Sequence, residues 1–227
     1  MGRIAGAEVV LDSSLLLAGP LLAFIFADNF DGLRGSRYLI AGIFVVALYL
    51  SIFIHECAHL LVGRATGRQA QTIELMLFGG VTVFDSGATR PGQQFVTAIV
   101  GPIASILVGI GSLALAGVAT GWVGAVAWSL GFVNILLGLF NLLPGLPLDG
   151  GQAMRAIVWK LTGRQTSGIR ATAWIGRAVA VLLVLVTLWQ SDFSGAWAVN
   201  LGFVILVAWI MWQAATAALR SLDMGTP

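Results

Sequence analysis

Two histidines four residues apart, with a glutamate beside the first, are the residues in this sequence best suited to do chemistry. They lie in the stretch Ser51 to Leu61, SIFIHECAHLL, as His55-Glu56-Cys57-Ala58-His59. On a helix, positions i and i+4 share a face, so His55 and His59 can hold one metal ion between them. Glu56 follows about 100° further round the helix, near enough to act on a water at that metal. The pattern is short, and the competing reading is two core histidines that fall at this spacing by chance. Three features weigh against chance. His55 and His59 are the only 2 histidines in the chain. Their neighbours Ile52, Phe53, Ile54, Leu60, Leu61 and Val62 are apolar, a setting in which two imidazoles and a carboxylate are costly without a purpose. The chain also supplies a second acid in apolar surroundings, Asp149.

The elements that must carry these residues are membrane helices. The 227 residues are 58% hydrophobic and 10% charged, against about 25% charged in a soluble domain. A net charge of +2 is too small to suggest nucleic acid. One cysteine, Cys57, excludes an internal disulfide. The reading is one integral-membrane domain over residues 1–227. Arg3 to Leu11 is expected as a short strand or interfacial segment ending at a helix cap, Asp12-Ser13-Ser14. Six apolar helices follow, at about 13–26, 38–62, 94–116, 122–143, 171–189 and 196–218. Thr72 to Phe84 is rich in β-favouring residues around Gly79-Gly80 and reads as a hairpin turning at the glycines. It is too apolar for a surface loop and belongs at the interface. Leu142 to Gly151, LLPGLPLDGG, is expected to break the helical pattern. Gln152 to Arg170 reads as a basic, partly amphipathic connector. Gly101, Ser105 and Gly109 recur every four residues, a small-residue face for close helix packing. The fold class is therefore an all-α membrane bundle of about six spans with a small β hairpin or sheet at the cytoplasmic interface.

Six spans put both termini on one side. Of the 12 Lys and Arg residues, only Arg34 and Arg37 then fall on the opposite side. By the positive-inside rule the termini, the hairpin and the LPLDGG break face the cytoplasm. The second helix runs inward with its histidines near the inner end, and the fourth runs inward and ends near Asp149.

Two histidines leave a catalytic zinc site short of a ligand, because such sites take three protein ligands and keep one position open. No third histidine exists, so the third ligand should be a carboxylate. Cys57 lies off the face shared by His55 and His59. Glu8, Asp28, Asp31, Asp192 and Asp223 fall in termini or loops. Glu74 and Asp85, in the hairpin, are weaker candidates. Asp149 stands out, in an apolar break rich in glycine and proline at the end of the fourth helix.

His55-Glu56-Cys57-Ala58-His59 together with Asn141-Leu142-Leu143-Pro144-Gly145-Leu146-Pro147-Leu148-Asp149-Gly150 resembles the HExxH and NxxPxxPxDG pair of site-2 proteases, the intramembrane zinc metalloproteases. The Gly79-Gly80 turn and Gly101-Pro102 resemble two weaker landmarks of that family. The resemblance implies one zinc per chain on His55, His59 and Asp149, with Glu56 as the catalytic acid/base. It implies that Asn141 helps position the substrate or the oxyanion. It also implies a single-span regulatory membrane protein as substrate. Six helices with no inserted PDZ or CBS domain look like the compact prokaryotic branch, a multi-pass protein of a prokaryotic cell membrane.

The leading expectation is thus an enzyme that hydrolyses peptide bonds in the bilayer. The alternative is a membrane zinc transporter or a metal-bound structural membrane protein. A transporter would favour several polar sites along a path, whereas this chain clusters its candidate ligands at one depth. A substrate unwound in the membrane needs partners for its backbone N–H and C=O groups. The strand near Gly79, Gly80 and Val81 is expected to offer them as a free edge.

Overall fold

In the computed structural model, which describes residues 2–76, 79–190 and 195–224 (backbone only for 195–200), the chain opens with a tight hairpin. Strands β1 (Gly2–Ile4) and β2 (Ala7–Leu11) turn on Ala5 and Gly6, both at positive φ, 46° and 82°. Positive φ at both central residues is what a type I′ two-residue hairpin turn requires. The expected cap follows in altered form. Ser14 is the N-cap of α1 (Leu15–Phe26) without a side-chain cap bond, and its N–H instead donates to the Asp12 carboxylate at 2.8 Å.

The chain falls into two units, Met1–Ala88 with Val100–Phe140, and Thr89–Ile99 with Asn141–Pro227. In the first unit α1 and α2 (Arg37–Ala65) form a crossover between β2 and β3 (Ala70–Met76), so those strands pair in parallel, with Val9 opposite Ile73. Strand β4 (Gly79–Phe84) pairs antiparallel with β3, with Val81 opposite Glu74. The sheet order is β1-β2-β3-β4, which makes β4 an edge strand. The expected hairpin is present, but Gly79 and Gly80 are the first residues of β4. The connecting residues 77–78 lie outside the described residues.

The sheet covers the C-terminal third of α2. Leu60 of α2 is buried with Ala7, Ile73 and Leu75, and Phe53 and Cys57 pack against that cluster. At its other end α2 buries Ile40, Phe44, Val45 and Leu48 against Phe30 and Val126. Two long helices complete this unit, α3 (Pro91–Ala116), from Val100 onward, and α4 (Gly121–Asn141). They meet through small residues. A Cβ on Gly109 would fall 3.0 Å from the Gly131 carbonyl oxygen, and one on Gly138 2.9 Å from that of Pro102.

In the second unit the predicted break is shorter than expected. It ends at Leu148, and Asp149, Gly150 and Gly151 begin α5 (Asp149–Thr162). These glycines serve close approach rather than a turn. A Cβ on Gly151 would lie 2.6 Å from the Gly145 carbonyl carbon, and one on Gly150 2.5 Å from the Leu143 oxygen. The break folds back over the first turn of α5, and only glycine leaves room for it. Gly163, at φ 71°, ends α5. The residues read as a basic connector are thus α5 and the start of α6 (Gln165–Trp189), followed by α7 (Gly195–Asp223). Leu148 packs against a core of Ala180, Ala208 and Met211.

Among the described residues, five helices, at Arg37–Ala65, Pro91–Ala116, Gly121–Asn141, Gln165–Trp189 and Leu201–Asp223, are long and apolar enough to cross a membrane. They make the chain an integral, multi-pass membrane protein. The remaining predicted span, α1, has 12 residues. It runs on into a 3-10 turn, Ala27–Phe30, so the apolar helical stretch Ser14–Phe30 covers about 26 Å, close to the roughly 30 Å hydrocarbon core.

Candidate metal centre

His55 and His59 stand toward the C-terminal end of α2, one turn apart, and are nearly sealed from solvent, 5% and 7% exposed. Their Nε2 atoms converge to 3.1 Å, with the rings at 71° to one another. Zinc–nitrogen bonds of about 2.0–2.1 Å in tetrahedral geometry put two ligand nitrogens about 3.3–3.4 Å apart, so the observed spacing suits one shared ion. The other ring nitrogen of His55 is engaged elsewhere, since Nδ1 lies 2.8 Å from the Ser105 hydroxyl. A ring held at Nδ1 presents Nε2 to the metal, the usual role of a partner behind a metal-binding histidine.

Helix α3 makes room for the pair. A Cβ on Gly101 would fall 2.6 Å from His55 Nε2 and closer still to His59 Nε2. The missing side chain therefore leaves space directly between the two ring nitrogens. The residues read as a packing face divide their work. Gly101 and Ser105 face the histidines, and Gly109 alone packs on α4, beside Gly131 and Ile135. Spacing of four put all three on one side of α3, but it could not say that the upper part of that side meets a ligand pair.

Glu56, 5% exposed, is turned toward the sheet. Its Oε2 accepts a 2.7 Å hydrogen bond from the Thr82 hydroxyl, which also lies 3.1 Å from the Glu56 carbonyl oxygen. Strand alternation explains the contact. Gly80, Thr82 and Phe84 face α2, and Val81 and Val83, each 41% exposed, face away. A Cβ on Gly80 would meet Glu56 Cγ at 2.6 Å, so the glycine lets β4 press against the glutamate. At the strand's end the Phe84 ring occupies the space beside Gly63 of α2. Neither Thr82 nor Ser105 was singled out as a functional residue by sequence reasoning. They lie 26 and 50 positions from their partners, and the only available signal was a lone polar residue among small or apolar ones.

The same alternation weakens two other candidates. Ile73 and Leu75 of β3 are buried with α2 residues, so Glu74 between them takes the opposite face. Asp85 follows β4 and is exposed. Asn134 of α4 is fully buried. Its Nδ2 donates to the Leu130 carbonyl at 2.9 Å, and its Oδ1 has no hydrogen bond. In the second unit Asp149 is the first residue of α5 and Asn141 the last of α4, both partly buried. The first turn of α5 is fastened there by Gln152, whose Oε1 accepts from Gln94 Nε2 at 2.8 Å.

Known proteins resemble this chain in sequence and fold. The sequence pattern described as Peptidase M50B-like matches residues 36–143, and that of peptidase family M50 matches residues 116–186. A Mycobacterium tuberculosis protein that carries the name zinc metalloprotease Rip3 is 38% identical over 225 residues, which is 95% of this chain and 57% of that protein. One from Synechocystis, also named as a zinc metalloprotease, is 32% identical over 99% of this chain and 60% of its own length. The chain thus spans less than two thirds of either relative. Among solved structures, the site-2 protease from Methanocaldococcus jannaschii shares the fold with a TM-score of 0.65 at 23% identity, covering 96% of this chain and 93% of that one.

Proposed function

The chain belongs to the peptidase M50 family, the zinc metalloproteases of the prokaryotic site-2 type, and on that premise we propose that it hydrolyses a peptide bond within or near the membrane-spanning segment of a single-span membrane protein. The observation that carries this reading is the convergence of His55 and His59 Nε2 at 3.1 Å beside a buried Glu56, in a helix otherwise made for lipid. His55, His59 and Asp149 would hold one zinc. Asp149 is favoured on chemistry, because two histidines leave a catalytic zinc site one protein ligand short and the chain has no further histidine. When bound, zinc supplies a Lewis acid that polarises the scissile carbonyl and acidifies water.

The protein's own groups do the rest. Ser105 keeps the His55 ring turned so that Nε2 is available. Glu56 takes the proton from the attacking water and returns it to the leaving nitrogen. Asn141 steadies the scissile carbonyl or the oxyanion. The substrate helix must unwind before its peptide bond can be attacked, because a helical bond is shielded by its own hydrogen bonds. The free edge of β4, at Gly79, Gly80 and Val81, pairs with the unwound segment by β-strand addition, which reads backbone rather than sequence. The termini and the site face the cytoplasm, and the whole chain acts as one protease domain.

The experiment is cleavage of an internally quenched single-span peptide by detergent-purified protein, with zinc removed by chelation and then restored. Cleavage that disappears and returns with zinc supports the reading. Asp149→Ala should lower zinc occupancy, and full zinc retention in that variant would move the third ligand elsewhere.

A further inference from the structure

Beyond the zinc ligands and the base, we propose that Thr82 is a positioning residue that couples the substrate-binding strand to Glu56. The inference rests on reading Glu56 as the base, and it begins with the proton of the Thr82 hydroxyl. That hydroxyl lies near two acceptors of the same residue, the carboxylate oxygen Oε2 at 2.7 Å and the main-chain oxygen at 3.1 Å. It has one proton to give. Glu56 sits inside α2, where its main-chain oxygen already serves the helix, so the proton goes to the carboxylate. At 2.7 Å this is a well-formed O–H···O hydrogen bond.

The bond has a directional consequence. With Oε2 held by Thr82, Oε1 is the oxygen left to accept a proton from water. The carboxylate is also fixed from the side, because the Gly80 backbone packs against its Cγ. Both contacts come from β4, an edge strand. The inward face of that strand, Gly80 and Thr82, touches Glu56, and its outward residues Val81 and Val83 do not. A substrate that pairs with the free edge fixes the strand, and the strand fixes the base. Binding and proton transfer thus draw on different atoms of one strand. Backbone groups hold the substrate, and one side-chain hydroxyl aligns the glutamate.

The test compares full-length wild type, Thr82→Val and Thr82→Ser in detergent. Valine keeps the shape and β-branching of threonine and removes only the hydroxyl, and serine restores it. The first readout is the infrared spectrum of protein carrying 13C-carboxylate glutamate. The chain has three glutamates, Glu8, Glu56 and Glu74, and the Glu56 band is assigned by subtracting the spectrum of Glu56→Gln. That band should shift in Thr82→Val and stay in place in Thr82→Ser. The second readout is kinetics on the quenched single-span peptide. General-base alignment is part of a contribution of about 100- to 10,000-fold, so Thr82→Val should lower kcat by about 10-fold or more. KM and zinc content should be unchanged, and Thr82→Ser should recover most of the rate. An unshifted Glu56 band, a wild-type kcat in Thr82→Val, or an effect on KM alone would overturn the inference. If wild type cleaves nothing, the proposed function falls, and the infrared band still decides whether Thr82 holds Glu56.

Discussion

Replacing Gly101 by alanine places a methyl carbon between the two ring nitrogens. The new carbon would start 2.6 Å from His55 Nε2, and nearer to His59 Nε2. Ordinary contact begins near 3.4 Å, so α3 or the rings must yield by about 0.8 Å at His55 Nε2, and by more at His59 Nε2, in a close-packed setting. Overpacking of this kind costs about 1–3 kcal/mol. At about 1.4 kcal/mol per decade, that weakens zinc binding by about 5- to 150-fold if the strain falls on the metal-loaded state. This is a lower bound, because the methyl also takes space the ion needs. The assay is zinc affinity by chelator competition on purified protein, with thermal unfolding as a check on folding. Gly109→Ala is the control. It sits two turns further along the same helix, and its new carbon meets Ile135 at 2.7 Å and the Gly131 oxygen at 3.0 Å, away from the histidines. It should lower the melting temperature and leave zinc affinity alone. A folded Gly101→Ala protein that binds zinc as tightly as wild type would refute the account of this face.

Other outcomes follow from the same geometry. Ser105→Ala removes the partner of His55 Nδ1 and should weaken zinc by about 10- to 100-fold, measured by the same competition. Proline at Val81 or Val83 removes a backbone donor from the edge strand. At least one of the two should cut peptide cleavage strongly with zinc content retained, and alanine at the same positions should do much less. In a Cys57→Ala background, cysteines near the N-terminus and at 155–170 should be labelled only from the cytoplasmic side, and those near 32 and 120 only from the other. Labelling of the 155–170 region from outside would invert the proposed orientation.

The legible parts of this protein are those whose signal is local. His55, Glu56 and His59 announced themselves by spacing, and the long spans by hydrophobic runs. The break before Asp149 was visible from Pro144 and Pro147. What could not be read is long-range. Nothing in residues 2–11 says that β2 will lie parallel to β3 across a two-helix crossover. The pair Gly150-Gly151 was read into the helix break because glycine marks both breaks and close approaches, and only the folded chain distinguishes the two. Ser105 passed for a packing residue because small side chains suit both a helix contact and a ligand's support. Thr82 looked like one more β-favouring residue until strand alternation turned it toward Glu56.

The central claim is that Glu56 is the base of a zinc peptidase, and one paired measurement addresses it. Wild type and Glu56→Gln are purified side by side in the same detergent, and zinc per chain and cleavage of the quenched single-span peptide are determined on each. The account predicts about one zinc per chain in both proteins, with cleavage in wild type alone. Equal cleavage by the two proteins, or wild-type cleavage that persists after zinc is stripped, would contradict it.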